Sequence, residues 1–145
     1  MMFPMIKILV LDDDPVRHRA FDVVLRDCQV DHAWTARAAI ESLMRMRYDI
    51  ACLDYDLDQF GVLNPGDGLV VARWIARETP ADRWPGCVVV HSQNITGAAR
   101  MLDVLLEAGV PVLDRPFSLG MLQDLAHDIR SRVPGISRSR SKRAR

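Results

Sequence analysis

Long apolar runs are missing from this chain of 145 residues. No stretch approaches the roughly 20 apolar residues that cross a bilayer, so no membrane-spanning segment is expected. Cysteine is scarce: Cys28, Cys52 and Cys87 make an odd set with no metal-type pair, and two of them lie inside apolar runs. That argues against a disulfide framework and suits a reducing cytoplasm. No Cys or His pair has zinc-ligand spacing, and no internal repeat is present. The opening stretch MMFPMIKILVL lacks the basic leader and small-residue cleavage site of a secretory signal. A net charge is lacking too, since 19 basic residues balance 19 acidic ones.

What remains is ordinary globular composition, 49% hydrophobic and 26% charged, at a length that suits one domain. The zero net charge hides an asymmetry. Residues 131–145 hold six of the basic residues and no acid, leaving 13 against 19 over the rest. We therefore expect a folded domain over residues 1–130 and a basic, disordered tail over 131–145, rich in Ser and Arg. Such a tail is either a solvated end or a contact for nucleic acid.

The run IKILVL (6–11) reads as a strand buried on both faces and ends at Asp12. Asp14 followed by Pro15 starts a helix, with Val16, Ala20, Val23, Val24 and Asp27 at helical spacing. Residues 29–34 form a weaker strand, and Thr35 caps a helix with Ala39, Ile40, Leu43 and Met44 as its inner face. YDIACL (48–53) is the third strand, followed by a loop rich in Gly, Asn and Pro and then the helix GLVVARWIARE. GCVVVHS, a helix capped by Asn94 and closed by Gly109, VPVLD, and a helix capped by Ser118 complete the series. Strands alternating with helices of this length predict a parallel sheet covered on both faces.

Ligands of such sheets bind outside the carboxyl ends of the strands. Those ends carry Asp12, Asp13 and Asp14; Asp54 and Asp56; His91, Ser92 and Asn94; and Asp114 and Arg115. Carboxylates gathered at one rim repel unless a cation sits among them, and hard oxygen donors suit Mg²⁺ or another hard divalent cation. Phosphate oxygens are the usual companions of that ion. Ser92 could hydrogen-bond a phosphoryl oxygen and Arg115 could clamp one. The bland account is that these acids only cap helices and turns.

The pieces KILVLDDD (7–14), DIACLDYDL (49–57), DG (67–68), VVVHS (88–92) and DRPF (114–117) resemble, in order and spacing, the receiver domain of two-component response regulators. The resemblance covers residues 6–130 and implies an α/β flavodoxin-like sandwich of five parallel strands in the order 2-1-3-4-5. It implies that Asp12 and Asp13 hold Mg²⁺ and that Asp54 accepts a phosphoryl group from a histidine kinase. It further implies that the Asp56 carbonyl completes the metal site, that Ser92 is the hydroxyl after strand four, and that Arg115 stands where the family has lysine. LDYDL (53–57) and HSQNITGAARM (91–101) are similar to a narrower group, the cyclic-phosphate-processing receiver domains. That likeness implies acting on or recognising a cyclic phosphate, such as an RNA end or nucleotide, with a metal-dependent phosphoesterase activity as one outcome; with only the basic tail after the last helix, a stand-alone protein is expected. The alternative is a single-domain response regulator phosphorylated on Asp54 in a phosphorelay.

Phosphoester chemistry needs an acid or base that titrates near neutrality. His18, one turn after Asp14, and His91 are the candidates, each as readily a structural histidine. His91 and Ser92 are neighbours on a strand and should point to opposite faces unless the strand ends between them. Asn94 serves as a helix cap, at a helix start that also suits an anion. Arg17 and Arg19 flank His18, as exposed helical charge or as phosphate-steering groups. Trp74 and Trp84 read as core or as partner surface.

Overall fold

The alternating pattern folds as expected, and each helix is started by a side chain the sequence places there. The computed structural model describes residues 5–57 and 67–131. Strand β1 (Lys7–Leu11) leads to α1 (Pro15–Val24), β2 (Gln29–Ala33) to α2 (Ala36–Arg45), and β3 (Ile50–Leu53) to α3 (Gly68–Glu78). Then come β4 (Cys87–Val90), α4 (Ile95–Ala108), β5 (Val112–Asp114) and α5 (Leu119–Arg130). The side chains of Asp14, Thr35, Asp67, Asn94 and Ser118 each accept a backbone N–H of the following turn, satisfying a donor that has no partner within the helix. Gly109 closes α4 with φ +91°, a left-handed conformation that favours glycine.

The sheet is parallel throughout, in the order β2-β1-β3-β4-β5. Alternate residues of its strands build two cores. Leu9, Leu11, Ala51, Leu53, Val88 and Val90 pack against α2, α3 and α4. Ile8, Val10, Ile50, Cys52, Cys87 and Val89 pack against Phe21 and Leu25 of the α1 region and Leu122, Leu125 and Ile129 of α5. No helix among the described residues is long and apolar enough to cross a membrane.

The inner faces of two helices differ from their expected ones. Val16 and Val23 of α1 are 73% and 59% exposed, whereas His18 and Phe21 are buried, and the helix ends before Asp27. Two β-branched residues face water because the buried stripe follows His18, whose ring has hydrogen-bond partners beneath the helix. On α2, Met44 turns outward while Ala39 and Leu43 go in. Trp74 and Trp84 pack partly buried against the larger core, and the Trp84 indole donates to the carbonyls of Ile75 and Thr79. Residues 58–66 of the Gly-, Asn- and Pro-rich loop and the basic tail from 132 onward lie outside the described residues.

Candidate functional site

Register across the sheet assembles the site. Val10 pairs with Cys52, and Cys52 with Val89, on three adjacent strands. Two residues further along stand Asp12, Asp54 and His91, projecting to the same face because side chains alternate with a period of two. The ladder carries them past the strand ends: Asp54 N–H donates to Leu11 O at 3.0 Å and His91 N–H to Leu53 O at 3.0 Å. One ligand atom from each of the three lies within 4.8 Å of the others, and all three residues are buried.

Asp12 is fully buried, like His91. One carboxylate oxygen accepts the Asp14 N–H at 2.9 Å, and the other faces His91 Nε2 at 2.9 Å. Burial works against its charge, but His91, the Asp14 N–H and Arg17 outweigh that and hold its carboxyl below the usual range. Asp54 behaves in the opposite way: burial, reinforced by the Asp12 charge, pushes it up, against the pull of His91, Arg17 and the Tyr55 N–H. Its Oδ1 accepts that Tyr55 N–H at 2.8 Å, and its Oδ2 faces Arg17.

Arg17 reaches from the first turn of α1 into this acidic row. Its Nη1 is 3.5 Å from Oδ2 of both Asp12 and Asp54, and its Nε is 3.6 Å from Asp14. Nη2 donates to Gln93 Oε1 at 3.2 Å, and the guanidinium lies 5.2 Å from the centre of the Phe117 ring. Arg17 thus stands among the carboxylates, while Arg19 is exposed. Gln93, which also donates to Phe117 O, carried no signal in the sequence.

Asp13, Asp14, Arg17, Asp54, Asp56, Ser92, Gln93 and Asn94 line one pocket of about 390 Å³. Ser92 Oγ accepts the Asn94 N–H at 3.1 Å, Asn94 Oδ1 caps Gly97 N–H at 2.9 Å, and Asn94 Nδ2 donates to Asp56 at 3.2 Å. The expected residues Asp13, Asp54, Asp56, Ser92 and Asn94 thus meet, with Asp12 behind them. Carboxylates from two strand ends facing one cavity are a donor set that fits a hard divalent cation.

His18, His91 and Arg115 do not line this pocket. β4 ends at Val90, and His91 follows the alternation onto the α1 and α5 side, where Phe21 and Phe117 pack around it. Its Nδ1 is buried without a hydrogen-bond partner among the described residues. His18 is buried too; its Nε2 meets the Asp12 carbonyl at 2.8 Å, its Nδ1 faces Nδ1 of His32, and its ring stacks on Trp34 with centroids 3.8 Å apart. A carbonyl only accepts, so Nε2 of His18 donates to it, and on the far side His32 Nε2 faces Asp22 Oδ1 at 2.7 Å. Burial, against the pull of the Asp12 carbonyl, lowers the His18 pKa. Arg115, expected at the phosphate, instead pairs with Asp128 of α5 at 2.8 Å and lines a separate groove with Ser118, Asp124 and His127. Its strand carries it to the α5 side, where that carboxylate meets it.

Comparison with known proteins agrees with this fold. A family model described as the cyclic-phosphate processing receiver domain matches residues 7–107. No curated protein matches the chain. Among solved structures, NtrX from Brucella abortus superposes with a TM-score of 0.63 at 22% identity, over 94% of this chain and 28% of that one. The chain therefore spans under a third of that protein. A CheY-like response regulator receiver domain from Methylobacillus flagellatus gives 0.61 at 18% identity, over 87% and 99% of the two chains. Another from Methanospirillum hungatei gives 0.58 at 18%, over 89% and 94%. At these identities the likeness is one of fold.

Proposed function

The chain belongs to the cyclic-phosphate processing receiver domain family, and from that premise we propose that it binds a phosphate ester, a cyclic phosphate at an RNA end or nucleotide, together with Mg²⁺ or a similar divalent cation. The observation that carries this reading is the pocket in which Asp13, Asp54 and Asp56 face Arg17, Ser92 and Asn94. Asp12, Asp13 and Asp54, with Asp56 at the same rim, would hold such a cation, which would supply the positive charge that phosphoryl oxygens need beside carboxylates.

The chain's own groups do the rest. Ser92 Oγ accepts the Asn94 N–H, which leaves its hydroxyl hydrogen free to turn toward a phosphoryl oxygen. The first turn of α4, which starts at the pocket wall, offers N–H groups and a positive dipole end to the same anion. Asp54 keeps one oxygen on Tyr55 and directs the other into the site. His91 and His18 act through Asp12, one on its carboxylate and one on its carbonyl, and are positioning residues. The compartment we propose is the cytoplasm, and the basic tail is a candidate contact for the RNA that carries the phosphate.

A second reading keeps Asp54 as phosphoacceptor for a histidine kinase. Its support is the placement of that carboxylate at the end of β3 on a receiver fold. One experiment separates the two. The protein is incubated with Mg²⁺ and either 2′,3′-cyclic AMP or acetyl phosphate, and nucleotide products and intact protein mass are both read. Ring opening that Asp54→Asn abolishes, with no phosphoryl adduct, supports cyclic-phosphate processing. A labile adduct lost in Asp54→Asn, with the cyclic nucleotide untouched, overturns it in favour of relay.

A further inference from the structure

The acidic row already contains a cation of its own. Arg17 Nη1 sits equidistant from Asp12 Oδ2 and Asp54 Oδ2, at 3.5 Å from each. The remaining oxygen of each carboxylate is taken by a backbone N–H at 2.9 and 2.8 Å, and Asp12 Oδ2 also faces His91 Nε2 at 2.9 Å. We infer that Arg17 is a built-in counter-cation that competes with a divalent ion for these carboxylates and moves onto phosphate when a phosphate ester binds. The inference rests on the cation-and-phosphate reading of the pocket and adds to it a residue-level coupling between the two ligands.

Three features support it. Distances of 3.5 Å are well beyond the 2.7–2.9 Å of a charge-assisted hydrogen bond, so the guanidinium is attracted to both carboxylates without being locked to either. The group also has somewhere to go: it already lines the pocket, donates to Gln93, and rests over Phe117, so a small swing keeps those contacts while it leaves the carboxylates. And its planar fork matches phosphate oxygens as readily as carboxylate ones. A cation bound alone must displace a positive charge from Asp12 and Asp54. With phosphate present the displaced guanidinium gains a partner, so the two ligands should bind cooperatively, each raising the affinity of the other by the same factor.

The test uses the full chain, with Mn²⁺ as the metal and methyl phosphate as the ester, and free Mn²⁺ is read by electron paramagnetic resonance. Arg17→Gln should bind Mn²⁺ alone on the order of tenfold tighter than the unaltered chain, because no competitor remains. Arg17→Lys, which keeps the charge, should not tighten it. Methyl phosphate should raise Mn²⁺ affinity of the unaltered chain by about 5–150-fold, and much of that gain should vanish in Arg17→Gln. Circular dichroism of each variant checks that it is folded. Equal Mn²⁺ affinity in the unaltered chain and Arg17→Gln, or undiminished coupling in the variant, overturns the role of Arg17 while leaving the cation site standing. No Mn²⁺ binding in any of the three proteins overturns both.

Discussion

Replacing Gly68 by alanine sets two effects of opposite sign against each other. Gly68 is the first residue of α3, and exchanging glycine for alanine in a helix gains at most about 1 kcal/mol from propensity. Against this, a Cβ on Gly68 would lie 1.8 Å from the main-chain oxygen of Asp54 and 2.8 Å from its carbonyl carbon. Atoms of this size rest at roughly 3.5 Å, so the shortfall from the oxygen is about 1.7 Å. No rotamer relieves it, since the obstacle is backbone. The Asp54 N–H is tied to Leu11 O at 3.0 Å, and Gly68 N–H donates to Tyr55 O at 2.9 Å, so either the end of β3 or the start of α3 must move. Forced shifts in a packed interior cost about 1–3 kcal/mol, sometimes more.

Packing should therefore win, with a net loss of about 2 kcal/mol once the propensity gain is deducted. In urea this lowers the unfolding midpoint by about 1 M, given slopes of about 1–3 kcal/mol per M. Gly120→Ala is the matched control: its Cβ would meet only Ser118 Oγ at 3.7 Å, an ordinary contact near the exposed start of α5. That variant should hold or slightly raise stability. Because the moved atoms belong to Asp54 and its neighbours, Gly68→Ala should also weaken Mn²⁺ binding, and Gly120→Ala should not. If the two variants unfold at the same urea concentration, the close approach of α3 to the end of β3 is wrong.

Three further outcomes follow from particular contacts. Arg115→Ala should cost no more than about 1 kcal/mol, as a partly exposed pair with Asp128 does, and leave Mn²⁺ and methyl phosphate affinities unchanged; a tenfold loss of phosphate affinity would put Arg115 back in the site. Asp12→Ala should destabilise by about 1–3 kcal/mol, because it strands Nε2 of a buried His91 whose Nδ1 already lacks a partner, and urea unfolding beside the unaltered chain measures it. His18 is protonated less readily in the folded chain than its usual value of 6.5, so its stabilising contribution is complete above that pH and is lost as pH falls below it. The unaltered chain should lose stability between pH 7.5 and 5.5 more steeply than His18→Gln; parallel profiles would refute this.

The parts of the fold legible in the sequence are those governed by chemistry within a turn. Asp14, Asn94 and Ser118 mark their helices because a short acceptor side chain answers an N–H two or three residues on. Gly109 marks an end because a left-handed residue is needed there. The inner face of α1 was not legible in this way. Valines at helical spacing outscore a histidine in any apolar pattern, yet His18 is the buried one, because the Asp12 carbonyl and His32 satisfy both its nitrogens. Only a partner on another strand makes that burial cheap.

The site divides along the same line. That Asp12, Asp54 and His91 end neighbouring strands can be read from the sequence, but which of them share a face depends on register. The pairings Val10 with Cys52, Cys52 with Val89 and Val89 with Leu113 align Asp12, Asp54, His91 and Arg115 in one row on the side of α1 and α5. Which cation serves that row is then decided by the helices above it. α5 presents Asp128 and draws Arg115 away, while the first turn of α1 directs Arg17 between Asp12 and Asp54. Position 115, where the motif has lysine, thus pairs with α5, and the guanidinium nearest Asp12 and Asp54 comes from position 17. It arrives from a helix rather than a strand end, so the swing inferred for that side chain would leave in place the sheet that holds the carboxylates.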